Sequence, residues 1–470
     1  MRKGASRRRT VPPPKRGGAR TDTLPTIAER RAAGKALRNT VGRTSHAGWE
    51  PPRRRRDPID VLIESSQGRL PNLVPIRYGR MLQSPFTFFR GAAAIMARDL
   101  AQTPVTGLRV QACGDCHLLN LGGFATPERQ QVFDINDFDE TLPAPWEWDL
   151  KRLAASFVIA GRSNRFAQRD CRAAAAESVR AYRTHMSEYA EMDTLDAWYA
   201  RVEGLVDDAE DPEMRRFYQR MLRKEEHRDA ASEFAKLTHD DKGVPRITDD
   251  PPLIFHPEQE QHPEFWSNVR RTLQRYRDTL PDDKRVLFDR YRFFDIAIKV
   301  VGVGSVGTIC GVALFLARQG DPLFLQIKEA RRSVLEPFAG KSVYANHGER
   351  VVVGQRVMQT ASDIFLGWTV GDAGRHFYVR QLRDLKLKPV IEVMRPENLI
   401  RFGTVCGWAL ARAHARSGDT AVLSGYMGKS AIFDNAVADF AEAYADQNER
   451  DHAAMVAAAR AGRIEVRTDV

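Results

Sequence analysis

The sequence predicts an α+β protein, because long helical stretches alternate with one β-rich region. Helical periodicity dominates residues 146–238 and returns at 396–416 and 431–460, whereas residues 293–329 show β-branched and apolar runs separated by a turn. The 470 residues are 43% hydrophobic and 28% charged, a composition typical of globular proteins. This composition excludes disorder of the whole chain.

The positive charge of the chain is concentrated at its N-terminus. Residues 1–56 hold 17 Lys and Arg against 3 acidic residues, although the whole chain has a net charge of only +11. This segment is rich in Pro, Gly and Arg and poor in apolar residues, so it is predicted to be a disordered basic arm. Such an arm is either a weak contact for nucleic acid or another polyanion, or a solvated tail.

The sequence after the basic arm predicts three further regions. They are a mainly helical lobe (57–285), a β-rich lobe (286–390) and C-terminal helices that return to the first lobe (391–470). Within the first lobe, the strand-like segments 108–113 and 130–135 are predicted to pair as a hairpin around a loop. Polar residues at the ends of this hairpin make it the expected place for chemistry.

Membrane insertion is not expected, because no apolar run approaches the roughly 18 residues needed to span a bilayer. The protein is therefore predicted to be cytoplasmic, without a membrane partner, while its oligomeric state is left open. The scattered cysteines are expected to be reduced thiols rather than a disulfide framework; they are Cys113, Cys116, Cys171, Cys310 and Cys406.

A short acidic segment has the spacing of a phosphoryl-transfer site. Asp115 and Asn120 lie five residues apart in a loop-like stretch, and Asp137-Phe-Asp139 follows the second predicted strand. Phosphoryl transfer requires a carboxylate near the attacking hydroxyl and oxygen ligands for a divalent metal. We therefore expect Asp115 to be the catalytic carboxylate, with Asn120 and Asp137 as Mg²⁺ ligands and Asp139 as a possible additional one.

A glycine-rich loop occurs about 190 residues further along the chain. It could open a dinucleotide fold, but β-branched residues follow it instead of a helix, which favours a strand-turn-strand unit. In that unit backbone amides would cover the phosphates of ATP, and Lys328 on the next strand would bind them too. Glu349 is expected to hold this lysine, with Glu336 as the rival. The expected nucleotide-binding residues of the loop are Gly302, Gly304, Ser305 and Gly307.

The segment from Cys113 resembles the kinase-like family of aminoglycoside and choline phosphotransferases, whose catalytic loop reads H-G-D-x-H-x-x-N and whose metal segment reads I-D-F. Cys113 stands where the family has its first His, but the following Gly, Asp, His and Asn match. The resemblance implies a two-lobe kinase-like fold that uses ATP and Mg²⁺. Within the loop, His117 is expected to be an orienting hydrogen-bond donor rather than a metal ligand. It also implies that Asp149, in P-W-E-W-D-L, stabilises that loop.

The order of these parts is inverted relative to a kinase. Residues 396–416 resemble the helix that leads into a kinase catalytic loop, although here they follow that loop by some 280 positions. A circular permutation explains this order, with the catalytic-loop half first and the glycine-loop half second. From about residue 57 onward the chain also resembles the bacterial family called domain of unknown function 2252, which implies no particular activity.

Three functions fit these observations. The first is an ATP- and Mg²⁺-dependent phosphotransferase acting on an unknown acceptor. The alternatives are a non-catalytic, pseudokinase-like binding protein and a metal-dependent phosphohydrolase that uses His117. Cys113 and Cys116 could bind zinc, but no second ligand pair with zinc spacing accompanies them. Arg77, Arg80 and Arg90 either line a pocket for an anionic substrate or form structural ion pairs.

Overall fold

A computed structural model describes residues 24–203, 216, 230–382, 387 and 389–468. The helices are α1 (Ile27–Ala36), α2 (Pro58–Ser66), α3 (Val74–Leu82), α4 (Pro85–Gly91), α5 (Ala93–Leu100), α6 (Trp146–Ser163), α7 (Gln168–Tyr189), α8 (Thr194–Tyr199), α9 (Ala230–Leu237), α10 (Pro263–Asp278), α11 (Asp282–Phe288), α12 (Glu336–Ala339), α13 (His347–Met358), α14 (Pro396–Ala415), α15 (Thr420–Met427) and α16 (Ile432–Arg460). The strands are β1 (Arg109–Ala112), β2 (Leu121–Ala125), β3 (Gln131–Ile135), β4 (Leu142–Pro145), β5 (Thr238–Asp241), β6 (Val244–Ile247), β7 (Ile254–Phe255), β8 (Arg292–Lys299), β9 (Cys310–Leu316), β10 (Pro322–Glu329), β11 (Gly367–Val370) and β12 (His376–Gln381). The predicted mixed α+β class is confirmed.

The helical lobe is built on α6 and α7, against which α14 and α16 pack. Helix α6 is buried on almost every side, and the Trp146 side chain at its start has no exposed surface. Helix α14 approaches α7 closely at Gly407, where a Cβ atom would lie 2.0 Å from the Ser178 carbonyl oxygen. Residues 391–468 therefore complete the core that residues 146–189 begin.

The second lobe is a six-stranded antiparallel sheet in the order β11-β12-β10-β9-β8-β7. Helices α10 and α11 cover this sheet through an aromatic and aliphatic cluster that includes Tyr276, Leu280 and Phe288. The predicted boundary at residue 286 is therefore wrong, because α10, α11 and β7 already belong to the sheet lobe. The apolar face of α10 can be buried only against that sheet.

The predicted disordered arm is wrong for residues 24–56. Helix α1 packs on α15 so closely that a Cβ atom at Gly34 would lie 2.0 Å from the Val422 carbonyl oxygen. The Arg55 guanidinium forms buried ion pairs with Asp99 (2.7 Å) and Asp451 (2.6 Å). Arg55 is ordered because buried carboxylates accept its hydrogen bonds. The average composition of the segment does not reveal such partners. Residues 1–23 of the predicted arm lie outside the described residues.

The predicted hairpin of residues 108–113 with 130–135 is also wrong, although both segments contain strands. β1 pairs with β4, and β3 pairs with β2, whose residues had been assigned to the loop. The chain reverses at Thr126, whose carbonyl oxygen accepts from Arg129 N, so the strand before this tight turn is the partner of β3. Two short strand pairs consequently flank the loop of residues 113–120.

The end of α14 lies beside the start of the catalytic-loop segment. The Ser417 hydroxyl oxygen accepts a hydrogen bond from Gln111 N at 2.8 Å, and Asp149 on α6 contacts His414 at 3.2 Å. Residues that are about 300 positions apart in sequence are thus adjacent in space. Among the described helices, none is both long enough and apolar enough to cross a bilayer.

Candidate active site

The loop after β1 is fixed by a buried carboxylate at the start of α6. Asp149 accepts hydrogen bonds from Cys113 N (2.6 Å) and Gly114 N (2.9 Å). Gly114 has a φ of +82°, and a Cβ atom there would lie 2.5 Å from the Glu140 carbonyl oxygen. Only glycine fits this position without displacing the backbone. The two backbone bonds agree with the stabilising role that the family resemblance implies for Asp149.

Asp115 lies in this loop and faces a basic partner. Arg152 on α6 donates from Nε to Asp115 Oδ1 at 2.7 Å, and its own guanidinium is almost completely buried. Burial raises the pKa of Asp115 to about 7, although Arg152 opposes the shift. A carboxyl group with a pKa near neutrality can exchange a proton at physiological pH, as a general base must.

His117 is buried next to Asp115, with only 3% of its surface exposed. Burial, assisted by the nearby Arg90 and Arg152, lowers its pKa well below the usual range and keeps the imidazole neutral. Among the described residues none forms a hydrogen bond with His117 Nδ1. The loop backbone is closed by a bond from His117 N to the Asp115 carbonyl oxygen at 2.9 Å.

Asn120 and Asp137 are brought together by the β2-β3 pair. The Asn120 amide nitrogen donates to the Asp115 carbonyl oxygen at 2.7 Å, which orients its side-chain oxygen away from that bond. The Asn120 carbonyl oxygen accepts from Asn136 N at 2.8 Å, so the loop residue lies beside the start of the acidic segment. An amide oxygen and a carboxylate in this arrangement suit Mg²⁺, which retains several waters when it is bound.

Lys328 connects the sheet lobe to the acidic segment. It lies on β10 between Cys310 of β9 and Tyr378 of β12, and its side chain is buried. Its Nζ lies 2.8 Å from Asp139 Oδ2 and 3.4 Å from Asp137 Oδ1. Although burial opposes the charge, the two carboxylates raise the pKa of Lys328 and keep the ammonium protonated.

The predicted partners of Lys328 are wrong. Glu349 lies in the first turn of α13, which Asn346 caps, and Glu336 pairs with Arg332 at 2.9 Å. The residue of α13 that faces the acidic segment is Arg350, whose Nη2 donates to the Asp139 carbonyl oxygen at 2.8 Å. Arg350 follows Glu349 directly in the sequence, so α13 presents this base, and not the neighbouring acid, to the acidic segment.

Asp139 holds Lys328 in place of these glutamates. Its Oδ1 accepts from the Tyr378 hydroxyl at 2.7 Å, while Oδ2 accepts from Lys328 Nζ. Both carboxylate oxygens therefore have donors in the protein itself. This arrangement favours Asp139 as the anchor of the lysine over its predicted use as an additional metal ligand.

The glycine-rich loop joins β8 to β9 and is held by residues from α3 and from the segment between α2 and α3. Arg80 donates to the Gly302 carbonyl oxygen at 2.7 Å. Arg69 donates to the carbonyl oxygens of Gly304 (2.8 Å) and Val306 (2.7 Å). In the described part of the chain, the amides of Gly304 and Ser305 donate to no acceptor. The loop thus has its carbonyl groups occupied and these two amides available.

These parts line one cavity of about 250 Å³. Most of the residues predicted from the sequence line it: Asp115, His117, Asn120, Asp137, Asp139, Gly302, Gly304, Ser305, Arg77 and Arg90. Arg80, the third predicted arginine, does not line it but binds the Gly302 carbonyl oxygen. Gly307 and Lys328 do not line it, but Gly307 contacts Arg69 and Lys328 contacts Asp137.

Several lining residues were not predicted. Three of them lie in loops: Arg69, Arg331 and Arg332. Two others lie at the ends of α2 and β10, namely Ser65 and Glu329. Their local sequence contains no periodicity or motif that distinguishes them from surface residues. Their proximity depends on long-range packing between the helices before residue 100 and the sheet lobe.

The cysteines of the C-x-x-C segment are not arranged as metal ligands. Cys113 and Cys116 are buried thiols, and Cys113 Sγ contacts the Asp137 carbonyl oxygen at 3.3 Å. Within the described ranges, no group of three or more His, Cys, Asp or Glu side chains has the geometry of a metal site. A divalent metal here would therefore rest on Asn120, Asp137 and ligands supplied by the substrate.

The fold and the cavity define an α+β protein with a polar inter-lobe site built from a catalytic-type loop and a glycine-rich loop. A family model matches residues 69–458, and the chain belongs to this family, domain of unknown function 2252, described as an uncharacterized protein conserved in bacteria. No curated protein and no solved structure shows significant similarity to the chain.

Proposed function

We propose that this protein is an ATP- and Mg²⁺-dependent phosphotransferase with a circularly permuted, kinase-like fold. One observation carries the proposal: Lys328 Nζ lies 3.4 Å from Asp137, although about 190 residues separate them. In kinases, a lysine of the third strand and a metal-binding aspartate act on the same phosphates. The contact therefore unites the two halves of a nucleotide site that the sequence divides.

The arrangement of the sheet lobe supports the kinase-like interpretation. The glycine loop connects β8 and β9, Lys328 lies on the adjoining β10, and α13 follows before β11. This is the sequence of glycine loop, third-strand lysine and following helix found in kinases. The proximity of Ser417 to Gln111 supports the permutation, because the helix that should lead into the catalytic loop ends beside it.

The proposed roles follow from the contacts. The amides of Gly304 and Ser305 would bind phosphate oxygens, and Lys328 would add a positive charge from the opposite side. Asn120 and Asp137 would hold Mg²⁺, which supplies charge neutralisation of the triphosphate when bound. Arg152 orients the Asp115 carboxylate toward the acceptor.

In the proposed reaction, Asp115 accepts the proton of the acceptor hydroxyl. The hydroxyl oxygen forms a bond to the γ-phosphorus of ATP, while the bond from that phosphorus to the β,γ-bridging oxygen breaks. The electron pair of the broken bond remains on ADP, and the products are ADP, the phosphorylated acceptor and the protonated Asp115.

Isothermal titration of the full chain with ATP, with and without Mg²⁺, tests the proposal. We expect Mg²⁺-dependent binding that the Asp137→Ala variant loses and the Glu128→Ala variant retains, since Glu128 is exposed in the turn of the same β2-β3 hairpin. The Asp115→Asn variant should still bind Mg-ATP but lose transfer by about 10²- to 10⁴-fold.

The alternatives give different results. Absence of metal-dependent nucleotide binding by the wild-type protein would refute the phosphotransferase. Binding without any turnover would favour the pseudokinase-like protein, and unchanged phosphate release by a Lys328→Met variant would favour the phosphohydrolase.

A further inference from the structure

Three guanidinium groups that line the cavity lack carboxylate partners. Arg77, Arg90 and Arg331, here called the arginine cluster, all line the cavity. Arg77 donates to Ser66 Oγ (3.0 Å) and the Gly91 carbonyl oxygen (2.9 Å), and Arg331 donates to the backbone of Ser65 and Gln67. Within the described part of the chain, none of the three forms an ion pair.

Arg90 is the most exceptional member of the cluster. Its buried Nε has no hydrogen-bond partner among the described residues, as is also true of Arg77, but the terminal nitrogens of Arg90 have none there either. Burial lowers the pKa of Arg90, and Asp115 is the first charge that opposes this shift. A half-buried cation that has no ion-pair partner among the described residues is unfavourable, so a ligand that brings negative charge would gain from this site.

Arg90 lies at the junction of the glycine loop and the loop that holds Asp115. Its carbonyl oxygen lies 3.3 Å from the place of a Cβ atom on Gly304, and its side chain is close to Asp115 and His117. The proposed phosphate donors, Lys328 and the glycine-loop amides, approach from the sheet lobe. Arg90 instead lies near Asp115, where the acceptor hydroxyl would meet the proposed base, and Arg77 and Arg331 line the same cavity.

We infer that the acceptor carries an anionic group, a phosphate or a carboxylate, which the arginine cluster binds while the acceptor hydroxyl faces Asp115. This inference rests on the proposed function, because it assigns the acceptor class of that same site. Planar guanidinium groups suit both anions, since each can accept two parallel hydrogen bonds.

The inference is tested on the full chain saturated with Mg²⁺ and the β,γ-imido analogue of ATP. Isothermal titration then compares sn-glycerol 3-phosphate and D-glycerate with neutral glycerol and cationic choline. We expect binding of the two anionic probes and none of glycerol or choline. The relative affinity of the phosphate and carboxylate probes identifies which anion the cluster prefers.

Arg90→Gln should weaken the binding of the anionic probes about ten- to a hundredfold, the loss expected for a charged hydrogen-bonding group. The matched control is Arg98→Gln, because Arg98 lies on the next helix with an equally unpartnered Nε but packs over Phe338 outside the cavity. Arg331→Gln provides a second test should Arg90→Gln unfold, which circular dichroism would detect.

Two results would overturn the inference while leaving the proposed function intact. One is normal binding of the ATP analogue with no binding of either anionic probe at millimolar concentration. The other is an Arg90→Gln variant that loses affinity for the nucleotide and not for the probes, which would assign the cluster to ATP. Failure of the ATP analogue to bind the wild-type protein would instead refute the proposed function.

Discussion

The two loops that meet at the cavity are held in opposite ways. The catalytic loop is fixed from inside the lobe, where Asp149 binds the backbone of Cys113 and Gly114. The glycine loop is fixed from outside its own sheet, because Arg69 and Arg80 of the preceding helical segment bind its carbonyl groups. The first loop is thus part of a core, whereas the position of the second depends on contact between lobes.

Because of this difference, we expect that disrupting the contacts of each loop will change a different property of the protein. Disrupting the catalytic-loop attachment should lower global stability, because buried donors lose their acceptor. Disrupting the glycine-loop attachment should mainly change ligand affinity, since the bonds lie at the edge of a lobe that has its own core. Three measurements, ordered by expected effect, can break or refine this distinction.

The largest effect is expected for Asp149→Ala. Removal of the carboxylate leaves the amides of Cys113 and Gly114 and the imidazole of His414 without their acceptor, so the free energy of unfolding should fall by about 3 kcal/mol or more. Urea denaturation measures this loss. Asp446→Ala is the control, because Asp446 forms only a surface ion pair and should cost under about 1 kcal/mol. A loss for Asp149→Ala as small as the control would show that the loop is not anchored by the core.

An intermediate effect is expected for Arg69→Gln. Without its guanidinium, the carbonyl groups of Gly304 and Val306 lose their donors and the loop amides are no longer held toward the phosphates. The Kd for Mg-ATP should rise about tenfold, which corresponds to about 1.4 kcal/mol. Titration calorimetry measures the change, and Arg30→Gln, which removes a surface ion pair with Asp419, is the control. An unchanged Kd would mean that the sheet alone positions the loop.

The smallest effect concerns the edge of the sheet. Burial opposes protonation of His256, but hydrogen bonds to Asp295 and Asp249 outweigh it and raise the pKa. Burial would conversely raise the pKa of Asp295, but its bond to His256 outweighs this and lowers it. The stabilisation by His256 is therefore complete below its unfolded pKa of about 6.5 and is lost as pH rises through the raised folded value.

The corresponding measurement is thermal denaturation of His256→Gln beside the wild-type protein. The variant should be less stable by about 1 kcal/mol near pH 6, and the difference should decrease by pH 8.5. Because Asp295 has the opposite dependence, the difference should also shrink below about pH 4 as its carboxylate becomes protonated. A difference that is constant from pH 6 to 8.5 would exclude an ionised pair. Mg-ATP affinity should stay unchanged, since the described hydrogen bonds of His256 reach only Asp249 and Asp295 and none reaches the glycine loop.

Sequence reasoning selected residues whose geometry is local. Asp115 and Asn120 share one loop, and the short β2-β3 turn brings Asp137 beside them, so spacing alone indicates that they meet. The partner of Lys328 was not predictable in this way. The lysine is held by Asp139, which lies about 190 positions earlier in the sequence and meets it only through packing between the two lobes.

Other errors came from averaging over long segments. The composition of residues 1–56 conceals a capping box in which Thr26 and Glu29 start α1, a signal that local inspection could have found. The pairing of β1 with β4 depends on contacts between distant segments. The same holds for the positions of Arg69 and Arg331 at the cavity. No local pattern carries that information.

The packing of α14 on α7 determines when the helical lobe can be completed during protein synthesis. Residues 168–189 leave the ribosome roughly 200 positions before residues 396–415, an interval of about 10 to 40 s at typical elongation rates of 5–20 residues per second. Throughout that time the apolar surface of α6 and α7 that α14 and α16 cover in the folded protein has no partner. The nascent chain must therefore delay its final fold until the last fifth has emerged, and this interval is when a chaperone would matter most.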